Sequence, residues 1–211
     1  MKSVEFSARE IKKEFNRRVI FENISFTLRQ RDSLVITGRN GSGKSTLAKI
    51  LCGLLTPTAG TVRCVIEGKE IPPPEIYKFI GFVSPYINMY DEFSGLENLL
   101  MFSKIRDLKN VSVSEANALL ERFNIYKQRN DEVRTYSSGM KQRLKYCGAL
   151  LHNPDILILD EPTSNLDEEG VATVRSLMIG YRRDRILIVA TNDAADAAYT
   201  DRTVRLGAEG L

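Results

Sequence analysis

Nine residues constrain this chain more than any other stretch does. Gly38-Arg39-Asn40-Gly41-Ser42-Gly43-Lys44-Ser45-Thr46 lies between the apolar run SLVIT and the segment LAKILCGLL. It has the spacing GxxxxGK[ST], with a strand-like flank before it and a helix-like flank after it. Glycines let backbone N–H groups turn inward around a phosphate chain, and the helix N-terminus adds favourable partial charge. The pattern assigns Lys44 to the β- and γ-phosphates of a nucleotide and the Ser45 hydroxyl to Mg²⁺. Thr46 adds a hydroxyl near the α-phosphate. A glycine-rich turn with an exposed lysine is the alternative, and the strand–helix context argues against it.

A metal at such a loop needs a carboxylate at the end of a buried strand. ILILDEP supplies one: four consecutive apolar residues suit a strand covered on both faces, and Asp160 and Glu161 follow. Asp160 is expected to hold Mg²⁺ through its water shell. Glu161 is placed to polarise an attacking water as general base. Two acids after an apolar run are by themselves an ordinary solvated strand end; beside the phosphate loop they become chemistry.

Strand-like pieces dominate from Val4 to about Val83 (VEFSA, ISFTL, SLVIT, TVRCVIE, IGFV), broken by the helix after the loop. From about Tyr86 to Leu151 the pattern turns helical. SGLE at Ser94 to Glu97 and SVSE at Ser112 to Glu115 have the Ser-x-x-Glu form of capping boxes. They introduce NLLMFSKI and ANALLERF, with apolar residues at helical spacing. After Leu151 strands and helices alternate again: DILILD, a helix near Glu168 to Tyr181, RILIVAT and RTVRL. The proline cluster IPPPE (Ile71 to Glu75) reads as a turn. This order predicts an α/β fold with a mostly parallel sheet and an inserted helical block. The expected division is a single domain over 1–211. Within it, 1–84 and 152–211 form a core with a β subdomain, and 85–151 a helical subdomain.

Composition excludes other classes. The chain carries 30 basic against 27 acidic residues, a formal charge of +3, and their scatter gives no nucleic-acid surface. Its longest apolar stretches, such as ILIL and ILIVA, fall far short of the roughly 20 residues of a membrane span. The first residues lack the apolar core of a secretory signal. Cys52, Cys64 and Cys147 are odd in number and show no metal-like pairing, so they read as core residues in a reducing compartment. With His152 as the single histidine, a histidine-rich metal site or a Ser/His/Asp triad would rest on that residue alone.

YSSGMKQR (Tyr136 to Arg143) ahead of Asp160, and SNLD (Ser164 to Asp167) just behind it, complete an order of motifs. That order resembles the nucleotide-binding subunits of ABC transporters over essentially the whole chain. The family signature reads LSGGQ; here it is Tyr136-Ser137-Ser138-Gly139-Met140. Ser137 and Gly139 match, Ser138 replaces the first glycine and Met140 the glutamine. The resemblance implies a P-loop NTPase (RecA-like) core with an N-terminal antiparallel β portion, and ATP and Mg²⁺ as cofactors. It also implies a head-to-tail dimer, expected to be a homodimer. ATP would sit between the Gly38–Thr46 loop of one subunit and the signature of the other. Asp167 matches the D-loop, which crosses that interface. Phe15 stands where the family places an aromatic ring under adenine; a core or turn aromatic is the alternative.

Two positions depart from the family. Ser84, followed by Pro85, stands where the strand IGFV normally ends in a glutamine that approaches Mg²⁺ and water, so a bridging water would be needed. Asn192 stands where the family has histidine. It can still donate a hydrogen bond to the γ-phosphate but cannot carry histidine's charge. Glu161 is retained, and the implied catalytic set is Glu161, Lys44, Asn192 and Ser84, hydrolysing ATP slowly in isolation. Tyr90 to Leu108 resembles the segment that meets the membrane subunit in small exporter-type members, such as haem exporters and the ABC-2 type. Glu97, Asn98 and Leu99 match it, while Leu96, Leu99, Leu100 and Phe102 also suit a plain helical core. A separate transmembrane permease is therefore the implied partner, with the chain cytoplasmic on the inner face of the membrane. An ABC-type ATPase outside transport and an ATP-gated dimerising sensor remain as alternatives.

Overall fold

β1 (Val4–Phe15) and β2 (Arg18–Arg29) pair antiparallel through the two-residue turn Asn16-Arg17, whose φ angles are 50° and 65°. Positive φ at both positions matches the right-handed twist of the flanking strands. This computed structural model describes residues 2–106 and 111–207. β3 (Ser33–Thr37) runs into the glycine loop and α1 (Lys44–Leu51), followed by β4 (Ala59–Ile66) and β5 (Lys69–Ile71). Where IPPPE predicts a turn, the chain instead enters a 3-10 helix over Pro73–Phe79. Proline is tolerated at a helix start because the N–H there has no intrahelical partner to lose.

β6 (Ile80–Val83) precedes the helical block, α2 (Gly95–Ile105), α3 (Val113–Arg122) and α4 (Ser138–Leu150). Both capping boxes form. In α2, Ser94 Oγ accepts from the Glu97 N–H at 3.2 Å and Glu97 Oε2 accepts from the Ser94 N–H at 2.8 Å. Ser112 and Glu115 do the same for α3. Of the segment Tyr90 to Leu108, Asp107 and Leu108 lie outside the described residues. β7 (Ile156–Asp160), α5 (Glu168–Tyr181), β8 (Ile186–Ala190), the short α6 (Ala194–Ala197) and β9 (Arg202–Arg205) complete the described chain.

Among the described residues the strands form two sheets. One is antiparallel, in the order β2-β1-β4-β5; the other is parallel throughout, in the order β6-β7-β8-β3-β9. The parallel sheet separates two apolar cores. Ile156, Ile158, Ile186 and Ile188 pack with α1 and the antiparallel sheet. Leu157, Leu159, Leu187 and Val189 pack with α3, α4 and α5. Coverage of both faces explains why β7 and β8 read as unbroken apolar runs rather than alternating ones. Each such side chain contributes about 1.5–3 kcal/mol on burial. Cys52, Cys64 and Cys147 are buried free thiols within these cores. No helix among the described residues is long and apolar enough to cross a membrane.

Candidate functional site

Four neighbouring parallel strands, β6, β7, β8 and β3, deliver their C-terminal ends to one edge of the sheet. In open α/β sheets that edge is where ligands bind. Gly43, the residue before α1, has φ 97°, and a Cβ there would stand 2.6 Å from Ile20 Cγ2 on β2. Only glycine satisfies both the left-handed backbone and this close approach. No side chain caps α1, so its first N–H groups remain for an anion. The Lys44 side chain is buried; its Nζ donates to the Gly38 carbonyl at 3.0 Å and lies 3.9 Å from Glu161 Oε1. Ser42 Oγ is buried without a hydrogen-bond partner. An uncapped helix start, a buried ammonium and an orphaned hydroxyl make a cradle for phosphate. Arg39, Asn40 and Gly41 form its exposed rim, and Thr46 is half-buried on α1.

Asp160 ends β7 fully buried. Ser45 Oγ donates to its Oδ1 at 3.0 Å and Ser84 Oγ to its Oδ2 at 2.9 Å. Burial raises the Asp160 pKa above the usual carboxylate value, against the bonds from Ser84 and Ser45 and the charges of Lys49 and Lys44. Where the resemblance has Ser84 reach a metal or an attacking water through a bridge, the structure commits its hydroxyl to Asp160. The Ser45 hydroxyl and the Asp160 carboxylate are hard oxygen ligands suited to Mg²⁺, which keeps water and phosphate oxygens in its other positions. Among the described residues no group of three His, Cys, Asp or Glu offers a protein-only cage.

Glu161 adopts φ 50°, the left-handed region, which a non-glycine residue occupies at a cost of roughly 1–3 kcal/mol when its surroundings hold it there. Its N–H donates to the Ala190 carbonyl at 2.8 Å, and its own carbonyl accepts from Ser164 N at 3.2 Å and Ser164 Oγ at 2.8 Å. Burial raises the pKa of its carboxyl group; Lys44 opposes the shift, and the charges of Asp160 and Asp196 add to it. A raised carboxylate pKa beside a phosphate cradle suits a general base. Exposed Asn192, after β8, donates from Nδ2 to Asn40 Oδ1 at 2.7 Å, tying that loop to the phosphate loop. Phe15 ends β1 at 46% exposure, outside both cores, with Lys13 Nζ 4.7 Å from its ring centroid. It belongs to the same hairpin whose Ile20 and Phe21 side chains press on Gly43.

The signature residues form a second group. Ser137 caps α4, its Oγ accepting from Met140 N at 3.2 Å, and Ser138 is exposed beside it. A Cβ on Gly139 would lie 3.3 Å from the Asn165 carbonyl, so the start of α4 abuts the SNLD loop. Asp167 caps α5 by accepting from Gly170 N at 2.9 Å and pairs with Arg143 of α4 at 2.5 Å. Among the described residues, neither the signature nor Asp167 shares a hydrogen bond or ion pair with Lys44, Ser45, Asp160 or Glu161.

Other side chains serving the site escaped the sequence reading. Asp196, buried in α6, accepts from Thr163 Oγ1 at 2.6 Å and pairs with Arg175 at 3.3 Å, securing the turn after Glu161. Lys145 Nζ donates to the Pro85 carbonyl at 3.0 Å, and Tyr146 Oη to the Pro162 carbonyl at 2.7 Å. Tyr146 had a signal, because a tyrosine on the buried face of a helix needs a partner for its hydroxyl. His152 lies just past α4, against Arg106 at 2.8 Å and the Ile80 carbonyl at 3.1 Å, away from this chemistry.

A family model described as ABC transporter matches residues 21–164, leaving Phe15, Asp167 and Asn192 outside the match. The chain is 33% identical over 191 residues to the uncharacterized ABC transporter ATP-binding protein YhcH of Bacillus subtilis (strain 168), covering 90% of this chain and 61% of that one. It is 30% identical over 209 residues to the lipoprotein-releasing system ATP-binding protein LolD of Leptospira interrogans serogroup Icterohaemorrhagiae serovar Lai (strain 56601), covering 95% and 87%. It thus spans under two thirds of YhcH and most of LolD. Among solved structures it superposes on the dimeric, post-hydrolysis ATP-binding cassette MJ0796 bound to ADP and Pi. The TM-score is 0.83 at 23% identity, covering 95% of this chain and 94% of that one. At that identity the likeness is one of fold.

Proposed function

This chain belongs to the ABC transporter ATP-binding family, and from that premise we propose that it binds Mg-ATP and hydrolyses it between two copies packed head to tail, driving a separate membrane permease. The observation that carries hydrolysis is Glu161: its carboxyl is raised in pKa, its backbone is held in a strained turn, and Lys44 Nζ lies 3.9 Å away. A bound Mg²⁺ would neutralise charge on the phosphate oxygens. Ser45 and Asp160 would hold it, with Ser84 orienting the carboxylate. Lys44 and the N–H groups at the start of α1 would orient the phosphate chain, and Asn192 would close over it from the Asn40 side. Glu161 would take the proton from the attacking water. Phe15, exposed at the hairpin end, would carry the adenine.

The second copy would supply Ser137, Ser138, Gly139 and Met140, with the α4 N-terminus directed at the γ-phosphate. MJ0796, which shares the fold and was captured as a dimer with ADP and Pi, supports pairing of two copies. For the permease, the supporting feature is a mainly apolar groove of about 260 Å³ beside α2 and α4, lined by Leu54, Phe82, Ile87, Met89 and Phe102. Exposed Tyr86, Tyr90 and Ile105 add further apolar surface. We take 85–151 as the helical unit, which supplies most of that groove, and 1–84 with 152–211 as the nucleotide-binding unit, which adds Leu54 and Phe82 to its wall. Docking there would place the chain on the cytoplasmic face of the membrane. Size-exclusion chromatography of Glu161→Gln with Mg-ATP tests the dimer. The variant should elute at twice the monomer mass, and a monomer that still holds ATP would overturn the head-to-tail reading.

A further inference from the structure

We propose that Tyr146 is a positioning residue for Glu161, acting through the Pro162 carbonyl; the proposal rests on the reading of Glu161 as the base. Tyr146 is fully buried in α4, the helix that begins at the signature serines. Its Oη donates to the Pro162 carbonyl at 2.7 Å, and its ring stacks on Phe123 at 5.4 Å between centroids. Burial pushes the phenol well above its ordinary pKa, so it remains a donor. Pro162 follows Glu161 directly. Lacking an N–H, it offers the turn only its carbonyl as a hydrogen-bonding handle.

The other restraints on this turn come from elsewhere. Ala190 of β8 accepts from Glu161 N, Ser164 closes the turn on the Glu161 carbonyl, and Asp196 of α6 holds Thr163. Among the described residues, Tyr146 supplies this turn's hydrogen bond from the helical block. Its neighbours on α4 make similar reaches, Arg143 to Asp167 and Lys145 to the Pro85 carbonyl. The strained backbone of Glu161 is therefore pinned on one side by the sheet and on the other by the helix whose N-terminus would meet ATP in the partner copy. Loss of the Tyr146 bond frees the Pro162–Thr163 peptide, the next but one after the base's own N–H, without touching the phosphate cradle.

Tyr146→Phe keeps the stacked ring and removes one oxygen. The expected result is a fall in kcat of about tenfold or more, since a misplacement of about 1 Å can cost about 10²-fold. KM for ATP should stay within about twofold, because ground-state binding is untouched. Amide hydrogen exchange at Glu161 and Ser164 should quicken, with Phe6 in the antiparallel sheet as the control for global stability. An unchanged kcat, or unchanged exchange at the turn in the folded variant, would overturn the proposal. Quicker exchange at Phe6 by the same factor would overturn it too, by assigning the hydroxyl to stability alone. Equal turnover by the parent and Glu161→Gln would instead sink the base assignment, and the exchange comparison would then decide Tyr146's hold on the turn by itself.

Discussion

Asp160 has a serine hydroxyl on each carboxylate oxygen, one from the first turn of α1 and one from the residue after β6. Such an arrangement fixes the carboxylate plane before any cation arrives. His152 shows the opposite economy, a titratable group held neutral. Burial and the Arg106 guanidinium push its pKa down from 6.5 to about 4. Unfolded, it takes up its proton near its ordinary value. Between the two values the unfolded chain binds more protons than the folded one, so stability rises with pH across that window. The contribution is complete above about pH 6.5 and is lost as the pH falls toward about 4; at about 1.4 kcal/mol per pKa unit it amounts to at most about 3.5 kcal/mol. Urea unfolding of His152→Gln should therefore show a shallower loss of stability from about pH 7 to about pH 5 than the parent. Parallel slopes would remove His152 from the account.

At the scale of elements, α2 and α3 were legible because their start signals are local. Ser94 and Glu97 satisfy each other's N–H groups within one turn, and a reader of the sequence sees both. Ser94→Ala should cost about 1 kcal/mol in urea unfolding and leave kcat unchanged, since Ser94 lies outside the nucleotide site. A loss of turnover would mean that α2 is coupled to the chemistry. The β1–β2 hairpin was not legible in the same way. Its turn is Asn16-Arg17, and arginine at positive φ carries no turn signature comparable to glycine. The 3-10 helix at Pro73 was hidden because proline suits both turns and helix starts. The phosphate loop, Asp160 and Glu161 could be read from motif spacing. What could not be read were the supports from distant sequence: Ser84 on Asp160, Asn192 on Asn40, Asp196 on Thr163 and Tyr146 on Pro162. Each joins residues brought together only by the tertiary fold; a buried-face tyrosine announces that Tyr146 needs a partner, but nothing along the chain names which one.

The whole molecule places a nucleotide cradle and a signature helix in different groups of elements and joins them through shared packing. One core links the parallel sheet to α1 and the hairpin that presses on Gly43; the other links the same sheet to α4 and α5. In the proposed function a second copy completes the site divided in this way, and its output is phosphate. Steady-state phosphate release from Mg-ATP by the purified chain, beside Glu161→Gln, tests that claim directly. The account predicts slow turnover by the parent and a loss of about 10²-fold or more in the variant, with ATP still bound. Equal release by both, or none from either with ATP bound, would contradict it.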